Sequence, residues 1–110
     1  MSGSFEKRGK GFEAKWAHDE ELRFKVAARR NKLLGLWAAG EMGLSGEDAA
    51  TYAKSVVSVE LQAVGVENVF RKIHADFEAA KLAHSDHAIR RKMEELLAEA
   101  ADQIMHEHKS

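Results

Sequence analysis

No cysteine and no proline occur in this chain of 110 residues, and glycine appears only 8 times. Without cysteine there is no disulfide framework, no zinc–thiolate site and no thiol nucleophile. Without proline, and with so few glycines, long uninterrupted elements are favoured. Neither sign of charge dominates: 17 Lys and Arg stand against 18 Asp and Glu, a formal net charge of -1. That balance argues against a protein built to coat DNA or RNA, so no nucleic-acid partner is expected. Long apolar runs are also missing. The longest uncharged stretch, Leu33 to Gly40, is far shorter than the roughly 20 residues a membrane helix needs, and no membrane insertion is expected. The opening residues Met1 to Arg8 lack the apolar run of a secretory signal, which points to an intracellular domain.

What is present suits a single globular unit. Hydrophobic residues make up 45% and charged residues 32%, too apolar for wholesale disorder. The length is enough to close one core without a metal or disulfide. Two regimes are visible along it. Residues 1–11 hold Gly3, Gly9 and Gly11, two serines, and Lys7, Arg8 and Lys10 against Glu6 alone. Phe5 is the one aromatic in this stretch, too little apolar surface to offset the entropy of ordering, so it reads as a flexible arm.

From Phe12 onward the spacing is helical. The first predicted helix runs from near His18–Asp19 to about Glu41, with Leu22, Val26, Leu33, Leu36 and Trp37 as its apolar stripe. Gly40 and Gly43 supply its stop. Ser45 then caps a second helix carrying Ala49, Tyr52, Ala53, Val56, Val57, Leu61 and Val64, with Gly65 expected to end it in a left-handed C-cap. The β-branched run Ser55 to Val59 resembles a strand locally, but the helical period extends well beyond it. A third helix is expected over about Glu67 to Leu82, and a fourth from Ser85 to about Met105. Mid-helix Gly35 costs about 1 kcal/mol against alanine, which close helix approach would explain. Four amphipathic helices joined by short turns predict an all-α four-helix bundle with a flexible N-terminal arm.

Catalytic chemistry finds no foothold. There is no phosphate-cradling glycine loop, no nucleophile elbow and no apolar-separated pair of carboxylates, so no enzyme and no catalytic residue is nominated. His84 and His87 lack a third ligand at matching spacing, and His106 and His108 point in different directions, so no metal is expected. The basic cluster Arg23, Lys25, Arg29, Arg30 and Lys32 reads as a solvated helix face with an interaction role.

One long stretch adds to this. Phe12-Glu-Ala-Lys-Trp-Ala-His-Asp-Glu-Glu-Leu-Arg-Phe-Lys-Val-Ala-Ala-Arg-Arg-Asn-Lys-Leu-Leu-Gly-Leu-Trp-Ala-Ala39 resembles the ATPase inhibitor subunit zeta of alphaproteobacterial F-type ATP synthases. Its core is Ala28-Arg-Arg-Asn-Lys-Leu-Leu-Gly-Leu-Trp-Ala-Ala39, and Val69-Phe-Arg-Lys-Ile73 also matches. The resemblance implies an inhibitory arm over residues 1–17 and a four-helix bundle over 18–110. In that family the arm enters a catalytic interface of the soluble ATPase head, becomes helical and stops rotation in the hydrolytic direction. Carried over, the partner-binding residues are Phe5, Glu6, Lys7, Arg8, Phe12, Glu13, Lys15 and Trp16. Their spacing agrees with the idea. Phe5 to Phe12 is i,i+7 and Phe12 to Trp16 is i,i+4, so a helix would set all three on one face.

The family carries helix formers at the positions of Gly9 and Gly11, so weaker inhibition is expected here. The partner implied is the catalytic head of an F-type ATP synthase, with the protein cytoplasmic at the inner face of the inner membrane; the oligomeric state is not fixed by the sequence, and a monomer is favoured. No cofactor is required, although the resemblance also implies weak ADP or ATP binding by the bundle. Two alternatives stand beside inhibition: an adenine-nucleotide-responsive helical module, and a generic helical adaptor using the face around Arg29 and Arg30.

Overall fold

The computed structural model describes Trp16, residues 18–62 and residues 65–109. Among these residues there are four helices and no strand: α1 (Glu20–Glu41), α2 (Gly46–Gln62), α3 (Val66–Ala79) and α4 (Asp86–Lys109). The all-α four-helix bundle is as expected.

The helix ends show why the chain breaks where it does. Asp19 caps α1 by accepting the Leu22 backbone N–H at 3.1 Å, and Glu20 and Glu21 in the first turn suit the positive end of the dipole. Gly43, at φ +82°, reverses the chain after α1 while the Leu44 N–H donates back to the Ala39 carbonyl at 2.8 Å. Ser45 precedes α2, and its carbonyl accepts the Ala49 N–H. Ser85 caps α4, its hydroxyl accepting the Ala88 N–H at 3.0 Å.

Three boundaries differ from the sequence reading. Gly65 does not sit in a left-handed C-cap. At φ 123°, ψ 140° it is the N-cap residue of α3, and its carbonyl accepts the Asn68 N–H at 3.3 Å. Secondly, α3 stops at Ala79 rather than near Leu82, because Lys81 turns to φ 62° and Leu82 donates back to the Phe77 carbonyl at 2.9 Å. A left-handed backbone strains any side chain with a Cβ. Lys81→Gly is therefore expected to stabilise the fold by roughly 0.5–1 kcal/mol, after allowing for glycine's greater freedom when unfolded, as read from a urea midpoint. The fourth helix runs past its expected end at Met105 to Lys109, since Ile104 stays buried and Glu107 is tied to α1.

The core has two parts. Leu34, Val56, Val69, Ile73, Phe77 and Ile89 form the centre of the larger cluster, drawn from all four helices. Leu22 and Val26 of α1 meet Ala100, Ala101 and Ile104 of α4 in a second, smaller one. Helix α1 therefore serves two sets of partners. Its buried residues drift from Leu22 and Val26 to Leu34, Ala38 and Ala39, and Leu36, expected inward, is instead 40% exposed. No single stripe describes a helix that turns one face to α4 at its start and another to α2 at its end.

Gly35 marks that second contact. A Cβ built there would lie 2.6 Å from the Ala53 Cα, so α1 and α2 touch backbone to backbone. On the far side of α2, the Tyr52 hydroxyl donates to Asp76 of α3 at 2.6 Å, and Lys72 pairs with the same carboxylate at 3.0 Å. Burial first, and then the Asp76 carboxylate, push the phenol pKa far up, so it stays a donor. Tyr52→Phe keeps the ring and loses this bond. It is expected to cost about 1 kcal/mol by chemical denaturation, with Lys72 still neutralising Asp76.

Candidate partner-binding surface

The end of the bundle that carries Trp16 is built on α1 and α4. Just before the Asp19 cap, the Trp16 carbonyl accepts the Asp19 N–H at 3.2 Å, which makes one turn. That turn lays the half-buried Trp16 ring against the smaller cluster, where Leu33, Leu97 and Met105 also pack. Trp16 was expected within the arm, and here it rests on the bundle. Its indole N–H is buried and has no hydrogen-bond partner among the described residues.

Beside this apolar seam runs a polar one. The Arg29 guanidinium donates to Gln103 at 2.7 Å and to both oxygens of Glu107 at 2.8 and 3.0 Å. These hydrogen bonds hold the Glu107 carboxyl below its ordinary range and keep Arg29 charged. The next two residues of α1 are buried, with Arg30 Nε donating to the Asn31 side-chain oxygen at 2.8 Å. The sequence reading placed Arg29 and Arg30 on a solvated basic face. The structure instead spends Arg29 on α4 and folds Arg30 into the interior. The signal available in the sequence was Asn31, a residue that breaks the charged run where helical phase turns inward.

The opposite end is aromatic. Trp37 meets the Phe77 ring edge-on at 5.5 Å, and His84 packs against both rings while pairing with Glu41 at 2.9 Å. His74 stacks on Phe70 at 5.7 Å and lies 3.2 Å from Asp86. Arg90 covers the other side of this edge, 3.8 Å above the Phe70 ring and bidentate to Glu67. These histidines hold helix ends and turns together. Among the described residues no group of three metal-binding side chains occurs, and no helix is long and apolar enough to cross a membrane. Of the candidate partner-binding residues, Phe5, Glu6, Lys7, Arg8, Phe12, Glu13 and Lys15 lie outside the described residues, and only Trp16 is placed.

The family model described as ATPase inhibitor subunit zeta matches residues 1–103. The chain belongs to this family. Among solved structures, one described as a solution NMR structure of a protein is 41% identical, spans 78% of this chain and 98% of its own length, and superposes with a TM-score of 0.69. No curated relative matches the chain. The zeta match takes in both the bundle and residues 1–15, so the segment holding Phe5, Phe12 and Lys15 falls within it. As a member of an inhibitor family, the chain is expected to act by binding an ATP synthase, and the bundle supplies a scaffold with Trp16 at the root of that segment.

Proposed function

We propose that this zeta-family protein inhibits the ATP-hydrolysing activity of an F-type ATP synthase by inserting residues 1–17 as a helix into a catalytic interface of the soluble head. The observation that supports this reading is the family match over residues 1–103, which includes the arm as well as the bundle. The arm's own chemistry is compatible with it. In a helical arm Phe5, Phe12 and Trp16 would share one face as anchors, and Lys7, Arg8 and Lys15 would offer cations to acidic surfaces around a nucleotide site. The bundle holds the arm's root and gives the inhibitor bulk outside the interface. No catalytic residue takes part. Insertion itself needs no cofactor, and weak ADP or ATP binding by the bundle remains a separate expectation of the family resemblance. The protein would work in the cytoplasm, at the inner face of the inner membrane, through its partner.

An adaptor that reads its partner through Arg29 and Arg30 is disfavoured, because Arg29 is engaged by Gln103 and Glu107 and Arg30 is buried.

Steady-state ATP hydrolysis by a cognate ATPase head tests the proposal. The intact chain should inhibit, and a chain lacking residues 1–17 should not. Full inhibition by the truncated chain would reject the arm as the active element. Point variants refine the test. Phe12→Ala should weaken inhibition about thirtyfold or more, the usual cost of about 2 kcal/mol for truncating a buried interface aromatic, and leave the melting temperature unchanged. Trp16→Ala should weaken inhibition and also lower the melting temperature, since the ring packs on the bundle.

A further inference from the structure

We propose that the groove between α1 and α4 is a resting seat for Trp16, from which the bundle competes with the ATPase head for the arm. This inference rests on the inhibitory-arm reading above. The ring packs against the smaller cluster, which Leu22 and Val26 of one helix form with Ala100, Ala101 and Ile104 of the other. That cluster is apolar, and the Trp16 indole N–H is buried and finds no acceptor among the described residues. A tryptophan that serves only to close a core ordinarily has its N–H satisfied, because a buried unpaired donor opposes the packing that buries it.

The two effects work against each other at this residue. Apolar contact draws the ring in, and the unpaired donor pushes it out. The result is a seat of intermediate strength, held well enough to be occupied in the free protein and weak enough to be vacated. Among the described residues, leaving it breaks the backbone hydrogen bond from the Asp19 N–H to the Trp16 carbonyl, while the bond from Leu22 to the Asp19 side chain still starts α1. Release of the ring therefore does not require the bundle to unfold. A partner that binds only the released arm has its apparent affinity reduced by the fraction of chains with the ring seated.

The test changes the seat and leaves the arm intact. Ile104 is on α4, 6% exposed, and part of the groove but not of the larger cluster. Ile104→Val removes one methylene group from the lining. Two readings are taken on the full-length chain: inhibition of ATP hydrolysis by the cognate head, and solvent exchange of the Trp16 indole proton by NMR. The proposal expects inhibition about three- to tenfold stronger and indole exchange faster by the same factor, since both report the released population. Unchanged or weaker inhibition by Ile104→Val overturns the seat. Stronger inhibition with unchanged indole exchange also overturns it, because the gain then arises elsewhere. Phe12→Ala in the otherwise unaltered chain separates this from failure of the arm reading. If Phe12→Ala inhibits normally, the arm reading fails first. If it loses inhibition while Ile104→Val behaves as the parent chain, only the seat is lost.

Discussion

Replacing Gly35 with alanine is expected to lower the stability of the bundle by about 2 kcal/mol, although alanine is the better helix former. On an isolated helix the change would add about 1 kcal/mol of stability. Here the new methyl would lie 2.6 Å from the Ala53 Cα, 3.1 Å from the Ala53 Cβ and 3.2 Å from a Val56 methyl. The nearest of these is backbone, which cannot swing aside as a long side chain could. Helices α1 and α2 must separate, and that opens the larger cluster in which Leu34, Ala38 and Val56 are fully buried. Overpacking of this kind costs typically 1–3 kcal/mol and occasionally more, which outweighs the propensity gain. Urea unfolding followed by circular dichroism measures it. A Gly35→Ala chain as stable as the parent would mean that the two helices do not touch here in solution. Gly40→Ala is the control: nothing lies within 4 Å of the added methyl, and no loss is expected.

The second large effect concerns affinity. Changing both Gly9 and Gly11 to alanine is expected to strengthen inhibition about thirtyfold. If the arm becomes helical against the ATPase head, each glycine costs about 0.8–1.0 kcal/mol relative to alanine, and the pair about 2 kcal/mol. The substitutions also restrict the unbound chain, which acts in the same direction. No contact needs to change for the gain to appear. Titration of ATP hydrolysis with the double variant measures it. Inhibition equal to or weaker than that of the parent would show that the bound arm is not a continuous helix through these positions. The parent chain should likewise be a weaker inhibitor than a relative with helix formers at both sites.

These two changes sit at opposite ends of what a sequence can disclose. The cost of Gly9 and Gly11 depends on local backbone freedom, which is a property of residue type, so it can be written down before any fold is known. The four helices were legible for similar reasons. Asp19 and Ser85 are strong N-caps, Gly43 is a ready left-handed stop, and the absence of proline leaves the spans between them unbroken. Family membership was legible too, because it rests on a long run of side chains through α1 and not on their arrangement in space.

Other features depended on neighbours distant in the chain. Local propensity disfavours lysine in a left-handed turn, yet Lys81 adopts one because α3 must end there for Leu82 to reach the larger cluster and His84 to reach Trp37 and Glu41. Leu34 and Leu36 are indistinguishable by hydropathy, and only the changeover of α1 from α4 to α2 buries the first and exposes the second. Arg29 and Arg30 look equally solvated until Glu107, 78 positions away, claims one and the interior encloses the other. Trp16 is the plainest case. Spacing to Phe12 places it on the arm's apolar face, but a groove formed by residues more than eighty positions later, Ala100 to Ile104, gives it a second place to rest. Periodicity and caps are local and therefore written in the sequence. Which of two apolar surfaces a side chain prefers is a difference between burials, and it exists only once the helices have packed.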